Sequence, residues 1–283
     1  MAIILDGKAT ARDWRAETAH RVAQLATAQI IPGLAVVLVG HDPASEIYVR
    51  MKARQAEKVG IRSIVRRLPE TVTQSELLQV IAELNHDAAI DGILVQLPLP
   101  VQIDEATVLL AVDPAKDVDG FHPYNLGQLW SGRSDLVPAT AAGIMKLLQQ
   151  YQINVAGKNA VVLGRSLIVG RPIAGLLLAA DATVTIVHSH SQNVAALTQA
   201  ADIVVAALGQ PNYVTADFVK PGAVVIDVGT NRVNGKLIGD VDYQAVAPIA
   251  SYITPVPGGV GPMTVAALLS QTTDLAEKRA QRG

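Results

Sequence analysis

The chain has 283 residues, half of them hydrophobic and 17% charged, with a formal net charge of −2 and no cysteine. That length suits two modest domains or one large one, and a charged share below the roughly 25% usual for soluble domains leaves ample apolar surface to bury. Lys and Arg are spread along the chain with no basic block for nucleic acid or anionic lipid, no apolar run approaches the roughly 18 residues of a membrane span, and the missing cysteines exclude disulfides and thiol catalysis.

The opening M-A-I-I-L-D-G-K has an acid within its first residues and no long apolar stretch, so it does not read as a signal peptide. A cytoplasmic protein is the expectation. The first buried strand is predicted at 34–39, followed by helices over 44–59 and 74–85 and a strand over 92–96. After a polar stretch rich in Pro and Gly, 123–138, come a helix over 141–151 and a strand over 159–163. The series continues with a helix over 172–180, a strand over 182–187, a helix over 193–201, and strands over 203–206 and 223–228. The strands are continuously apolar, as in parallel sheets covered on both faces. The helical segments repeat apolar residues at three- and four-residue spacing. Alternation of this kind predicts an α/β fold with parallel sheets, and the 123–138 stretch is the expected domain break. A last apolar helix, 265–278, could pack on either domain.

Four polar residues of the first half fall at or just beyond strand ends. In S-E-I-Y-V-R-M-K, Tyr48 and Lys52 are four residues apart, on one helical face. By itself the segment reads more readily as a solvated helix with one amphipathic Tyr than as a reactive pair in a cleft. Gln96 ends a buried strand, where its amide must find partners. Asp119 lies in K-D-V-D-G-F-H-P, whose acids also suit a simple turn. Strand ends of this kind line ligand clefts in α/β proteins.

The second half carries N-A-V-V-L-G-R-S-L-I-V-G-R-P, which reads strand, glycine turn, helix start, with Gly164 after the strand and Gly170 and Pro172 at the helix. Free N–H groups and the positive helix end make such a turn a pyrophosphate site, although the glycine spacing departs from G-x-G-x-x-G. The next strand ends in His188, Ser189, His190 and Ser191, with no carboxylate to bind a ribose 2′-hydroxyl. Arg165 and Ser189 are suited to a 2′-phosphate, which points to NADP. Glycine turns also end the strands at A-L-G-Q-P and D-V-G-T-N. The six His residues lack acidic partners at ligand spacing, so no metal is expected.

Taken together, Y-V-R-M-K, G-I-L-V-Q-L-P-L-P, P-A-K-D-V-D-G-F-H-P-Y-N, G-R-S-L-I-V-G-R-P and P-G-G-V-G-P-M-T occur in the order of signatures that they resemble in the bifunctional methylenetetrahydrofolate dehydrogenase/cyclohydrolase family. The resemblance implies a catalytic domain of residues 1–138 plus 263–283, and a Rossmann-like, doubly wound NADP domain of residues 139–262, with folate held between them. It implies NADP-dependent oxidation of 5,10-methylene-tetrahydrofolate, hydrolysis of the methenyl product to 10-formyl-tetrahydrofolate, and a homodimer. By similarity Lys52 is the central catalytic residue, Tyr48 and Gln96 support it and contact substrate, and Asp119 anchors the pterin. Gly259 and Pro262 of the 257–264 loop would line the folate site. Gly164, Arg165, Ser166, Ser189 and Thr230 would contact the cofactor. There are departures: P-A-T-A-A-G, with Ala139 and Ala141, where the family often has P-C-T-P-x-G; Arg54 for a second lysine; and Thr230 for an aliphatic residue. An NADP-dependent shikimate-type dehydrogenase and a non-catalytic folate or nucleotide binder are the alternatives.

Overall fold

The computed structural model describes residues 1–282. Along the chain come β1 (Ile3–Ile4), α1 (Gly7–Thr27), β2 (Gly33–Val39), α2 (Pro43–Lys58), β3 (Arg62–Leu68), α3 (Gln74–His86), β4 (Gly92–Val95), α4 (Glu105–Ala111), α5 (Pro123–Trp130) and α6 (Ala139–Gln150). There follow β5 (Asn159–Leu163), α7 (Gly170–Ala179), β6 (Thr183–Val187), α8 (Val194–Gln199), β7 (Ile203–Ala206), β8 (Val224–Asp227), β9 (Asn231–Val233), β10 (Lys236–Ile238), α9 (Tyr243–Val246), β11 (Tyr252–Ile253) and α10 (Val260–Arg282). They form two compact units, each made of two stretches of chain: 1–12 with 138–264, and 13–137 with 265–282.

The unit containing 138–264 holds a six-stranded parallel sheet in the order β1-β11-β8-β7-β5-β6. Strands β5, β7 and β8 are apolar and buried almost throughout, as in a parallel sheet covered on both faces. Val161, Leu163, Val204, Ala206, Val225 and Ile253 form part of one core there. The chain runs from β5 outward to β6, then returns past β5 to β7, so the connections leave β5 in opposite directions. Open α/β sheets bind ligands at such a reversal. A short antiparallel hairpin, β9–β10, follows β8.

The other unit is built on a three-stranded parallel sheet, β3-β2-β4. Strand β2 is central and completely buried. Ala35, Val37, Leu77, Ile81, Ile93 and Val108 belong to its core. Helix α10 closes this unit through charged contacts. Asp91, only 4% exposed, accepts from Arg279 Nε at 2.6 Å and Nη2 at 3.1 Å and from the Gly33 amide at 2.9 Å. Arg21 of α1 donates to Glu277 at 2.9 and 2.7 Å and pairs with Asp274.

The two units are divided differently from the sequence expectation at three places, the one at Pro138 by a single residue. Residues 1–12 belong with the six-stranded sheet, because Ile3 and Ile4 pair with Tyr252 and Ile253. Residues 263–264 join the same unit: a Cβ on Gly143 would lie 2.9 Å from that of Met263, so α6 and the start of α10 are in direct contact. The final helix also begins five residues earlier than its apolar repeat suggests, at Val260.

Candidate active site

Three elements of the three-stranded unit converge around Lys52. Strand β2 is followed by Gly40, whose φ of +78° favours glycine. Asp42 then caps α2 by accepting from the Ser45 amide at 2.8 Å, and Pro43 occupies the first turn. The buried residues of α2 are Ser45, Val49 and Ala56. Lys52 falls between them at heptad spacing, which puts an amine on the inward stripe of the helix. Tyr48, one turn earlier, is 40% exposed.

Gln96 follows β4, and its amide donates to Val37 O at 2.9 Å, which keeps it beside the end of β2. Its side chain is oriented from both ends: Nε2 donates to Leu97 O at 2.7 Å, and Oε1 accepts from Lys52 Nζ at 3.2 Å. The 116–119 segment runs beside β4 in parallel, through an Ile93–Asp117 bridge and a 2.7 Å bond from the Ile93 amide to Lys116 O. Gly92 permits this approach, since a Cβ there would meet Val118 at 2.5 Å. Asp117 fixes the following turn by accepting from Gly120, His122 and Asn125, and Gln271 of α10 holds Val118 O at 2.9 Å. Asp119 is thereby carried next to Lys52.

Each of these two charges perturbs the other. Burial lowers the Lys52 pKa from its ordinary value, opposed by the attraction of Asp119. Burial raises Asp119 to about 6, opposed by Lys52 and reinforced by Asp117. Near neutral pH the site therefore combines an ionised carboxylate with an amine that gives up its proton more readily than an exposed lysine. Such a pair can position a cationic or donor-rich ligand and move a proton.

The six-stranded unit has a second site. Gly164 follows β5 at φ +115°, and a Cβ on it would fall 2.2 Å from Ala207 O. A Cβ on Gly170 would fall 2.3 Å from Gly164 O. Only glycines permit this strand–turn–helix approach. Ser166 Oγ accepts from the Val169 and Gly170 amides, each at 3.2 Å, and so caps α7. A cavity of about 280 Å³ opens at the ends of β5, β6 and β7, lined by Gly164, Arg165, Ser166, His188, Ser189 and Leu208 among others. Its lining includes no carboxylate among the described residues. His188 Nδ1 accepts from the His190 amide at 3.2 Å, and lost hydration followed by Arg165 lowers its pKa. A glycine turn, a helix N-terminus and the Arg165 cation just after β5, facing the hydroxyl of Ser189 after β6, suit a dinucleotide carrying a 2′-phosphate.

Of the expected site residues, Tyr48, Lys52, Gln96 and Asp119 share the three-stranded unit, and Gly259 and Pro262 lie in the six-stranded one. Gly164, Arg165, Ser166 and Ser189 line the cavity; Thr230 is exposed and does not. Two buried carboxylates near the β7 and β8 ends, Asp227 and Asp240, have no distinguishing sequence signal, because both sit in Gly-Asp or Asp-Val-Gly segments that read as turns. Among the described residues no group of three or more His, Asp or Glu is arranged to hold a metal, and no helix is long and apolar enough to cross a membrane.

The chain matches two family models: tetrahydrofolate dehydrogenase/cyclohydrolase catalytic domain over residues 5–119, and the NAD(P)-binding domain of the same family over residues 138–280. It is 58% identical over the full length of both chains to the bifunctional protein FolD of Streptococcus pneumoniae strain D39. The crystal structure of the bifunctional FolD methylenetetrahydrofolate dehydrogenase/cyclohydrolase from Campylobacter jejuni superposes with a TM-score of 0.97 at 47% identity, covering 99% of this chain and 100% of that one. The Trypanosoma brucei FolD enzyme, complexed with NADP and an inhibitor, gives 0.95 at 42% identity, covering 100% and 99%. A shikimate dehydrogenase in complex with NADP+ shares the fold alone, with 15% identity and a TM-score of 0.53 over 88% of this chain and 95% of that one. The chain belongs to the tetrahydrofolate dehydrogenase/cyclohydrolase family.

Proposed function

We propose that Lys52, Gln96, Tyr48 and Asp119 carry two consecutive reactions on one folate: NADP-dependent oxidation of 5,10-methylene-tetrahydrofolate to the 5,10-methenyl cation, and hydrolysis of that cation to 10-formyl-tetrahydrofolate. The observation that carries this reading is the 3.2 Å bond from Lys52 Nζ to Gln96 Oε1, beside a carboxylate, with the amine pKa lowered by burial.

The first step transfers a hydride and releases no proton, so this chain has to hold the methylene carbon in line rather than supply an acid or base. Bound NADP supplies the hydride acceptor. Gly164, Arg165, Ser166 and Ser189 would hold its phosphates and ribose, Thr230 would lie near the nicotinamide, and the unit with 138–264 would be the cofactor domain. In the second step a water oxygen adds to the methenyl carbon and one of its protons leaves; the remaining hydroxyl proton is then transferred to N5 as the C–N5 bond breaks, which leaves the formyl group on N10. A neutral Lys52 amine accepts a proton in that sequence, and its lowered pKa makes the neutral form available. The positive substrate lowers it further. Gln96 keeps the amine in place through a neutral acceptor, where a carboxylate would hold it as ammonium. Asp119, an acceptor of N–H bonds, suits the 2-amino and ring N–H edge of the pterin. Tyr48 offers an aromatic face and a hydroxyl to the substrate, and Gly259 and Pro262 would add contacts to it.

A paired assay of wild type and Lys52→Met tests this reading. NADPH formation follows the oxidation, and loss of the methenyl absorbance follows hydrolysis. Wild type should do both, and the variant should lose hydrolysis by more than about 100-fold. Hydrolysis unchanged in the variant would remove Lys52 from the proton transfer. Family resemblance also supports a cytoplasmic homodimer, and light scattering coupled to size-exclusion chromatography checks the dimer.

A further inference from the structure

A loop that shapes the cofactor cavity is held by a buried carboxylate with no part in the chemistry above. Asp240 is 0% exposed. Its Oδ2 accepts from the Leu208 and Gly209 amides at 2.6 and 2.9 Å, and its Oδ1 from the Gln210 amide at 2.9 Å and Asn231 Nδ2 at 2.8 Å. Three consecutive backbone N–H groups facing one side form a concavity suited to an anion. Here the chain fills it with its own carboxylate.

Asp240 is itself positioned by a second acid. Asp227, at the end of β8, accepts from the Asp240 and Val241 amides at 2.9 and 3.0 Å and from Gly229 at 2.9 Å. Glycines make room for both: a Cβ on Gly229 would lie 2.4 Å from Asp240 Oδ1, and one on Gly239 would lie 1.8 Å from Asp227 Oδ2. The two carboxylates thus tie the β8 end to the 239–241 segment, and that segment to the loop after β7. Leu208 and Gln210 of that loop line the 280 Å³ cavity. Asn231, held by the same carboxylate, directly follows Thr230.

We propose that Asp240 is a positioning residue for the oxidation step: it holds the 208–210 loop and the base of the 229–231 turn in the shape that receives the dinucleotide, and hydrolysis does not depend on it. This rests on the functional reading given above. Asparagine cannot replace it. Both oxygens accept two bonds each, so either placement of the amide group sets its N–H donors against donors.

The experiment compares wild type, Asp240→Asn and Gly209→Ala as full chains, in both activity assays and in thermal melts with and without NADP. Gly209 has φ +68° and open space around it, so alanine there strains the loop without a clash and without touching Asp240. Asp240→Asn should raise the KM for NADP at least tenfold, lower oxidation kcat, abolish the rise in Tm given by NADP, and leave hydrolysis within twofold. Gly209→Ala should show the same split at about threefold. Equal loss of both activities, or an unchanged KM for NADP, overturns the proposal. If Asp240→Asn does not fold, Gly209→Ala decides by its KM for NADP. If wild type gains Tm with NADP but turns over no folate, the functional reading fails while the role of Asp240 is still judged by the melting shift.

Discussion

Changing Gln96 to glutamate replaces one NH2 by oxygen and tests why the acceptor beside Lys52 is neutral. Lys52 Nζ lies 3.2 Å from Gln96 Oε1. At that distance, with an effective dielectric of about 20, a carboxylate would attract the ammonium by about 5 kcal/mol. Desolvation of the new charge and its repulsion from Leu97 O, now bonded to Nε2, offset part of this. The net rise in the Lys52 pKa is then about 1–3 units, the usual effect of an opposite charge this close. Burial lowers that pKa in the wild type; the substitution acts in the opposite direction. At pH 7 the neutral amine becomes about 10- to 1,000-fold scarcer, and hydrolysis should fall in proportion. Oxidation, which transfers a hydride, should fall by less than about tenfold. Stopped-flow decay of the methenyl chromophore, followed from about pH 6 to 9 beside NADPH formation, reads both. The limb of the hydrolysis profile that rises with pH should move to higher pH. An unmoved profile, or an equal fall in both activities, would refute the assignment of Lys52 as the proton acceptor.

Further outcomes follow from other parts of the molecule. Gly164→Ala forces a side chain to 2.2 Å from Ala207 O at φ +115°; NADP affinity should drop at least tenfold, about 1.4 kcal/mol, while methenyl hydrolysis persists, as titration calorimetry and the hydrolysis assay would show. Asp119 has a folded pKa of about 6, above its ordinary 3.8, so the stability it contributes is full below about pH 4 and is lost as pH rises to about 6. Asp119→Asn should therefore raise Tm at pH 8 and leave it unchanged at pH 4 while lowering turnover; a gain of equal size at both pH values would contradict the burial argument. Arg279→Met strands the buried Asp91 carboxylate and should lower unfolding free energy by about 3–5 kcal/mol in urea, with Asp91→Asn added to it recovering part of the loss.

Parts of this fold and site are legible in the sequence for physical reasons. Strands β5 and β7 coincide with their predicted spans, because a strand buried on both faces must be apolar throughout. Strand β3, R-S-I-V-R-R-L, is at a sheet edge and partly exposed, so its arginines hide it. Helix α1 buries mainly small residues, Gly7, Thr10, Ala11, Thr18 and Val22, and so shows no apolar stripe. Strand β1 is two residues long and has no period to detect. In the site, Tyr48 and Lys52 were visible as a helical pair and Gln96 as an amide out of place in a core strand. Asp240 was not: its role depends on three amides some thirty residues away, a proximity made by the adjacent ends of β7 and β8 rather than by local pattern.

The two-stretch composition of each unit also sets an order of assembly. Val118, next to Asp119, is held by Gln271, 153 residues later, and Arg21 of α1 and Asp91 just before β4 are tied to Glu277 and Arg279 across 256 and 188 residues. At synthesis rates of about 5–20 residues per second, residues 13–137 wait on the order of ten seconds before α10 exists to cover them. Pairings that close such long loops are slow to form and leave apolar surface open meanwhile. The intervening 138–264 stretch can complete its sheet first, since residues 1–12 are already made. Lys52, Gln96 and Asp119 are thus among the earlier residues to be synthesised and belong to the unit that becomes native last.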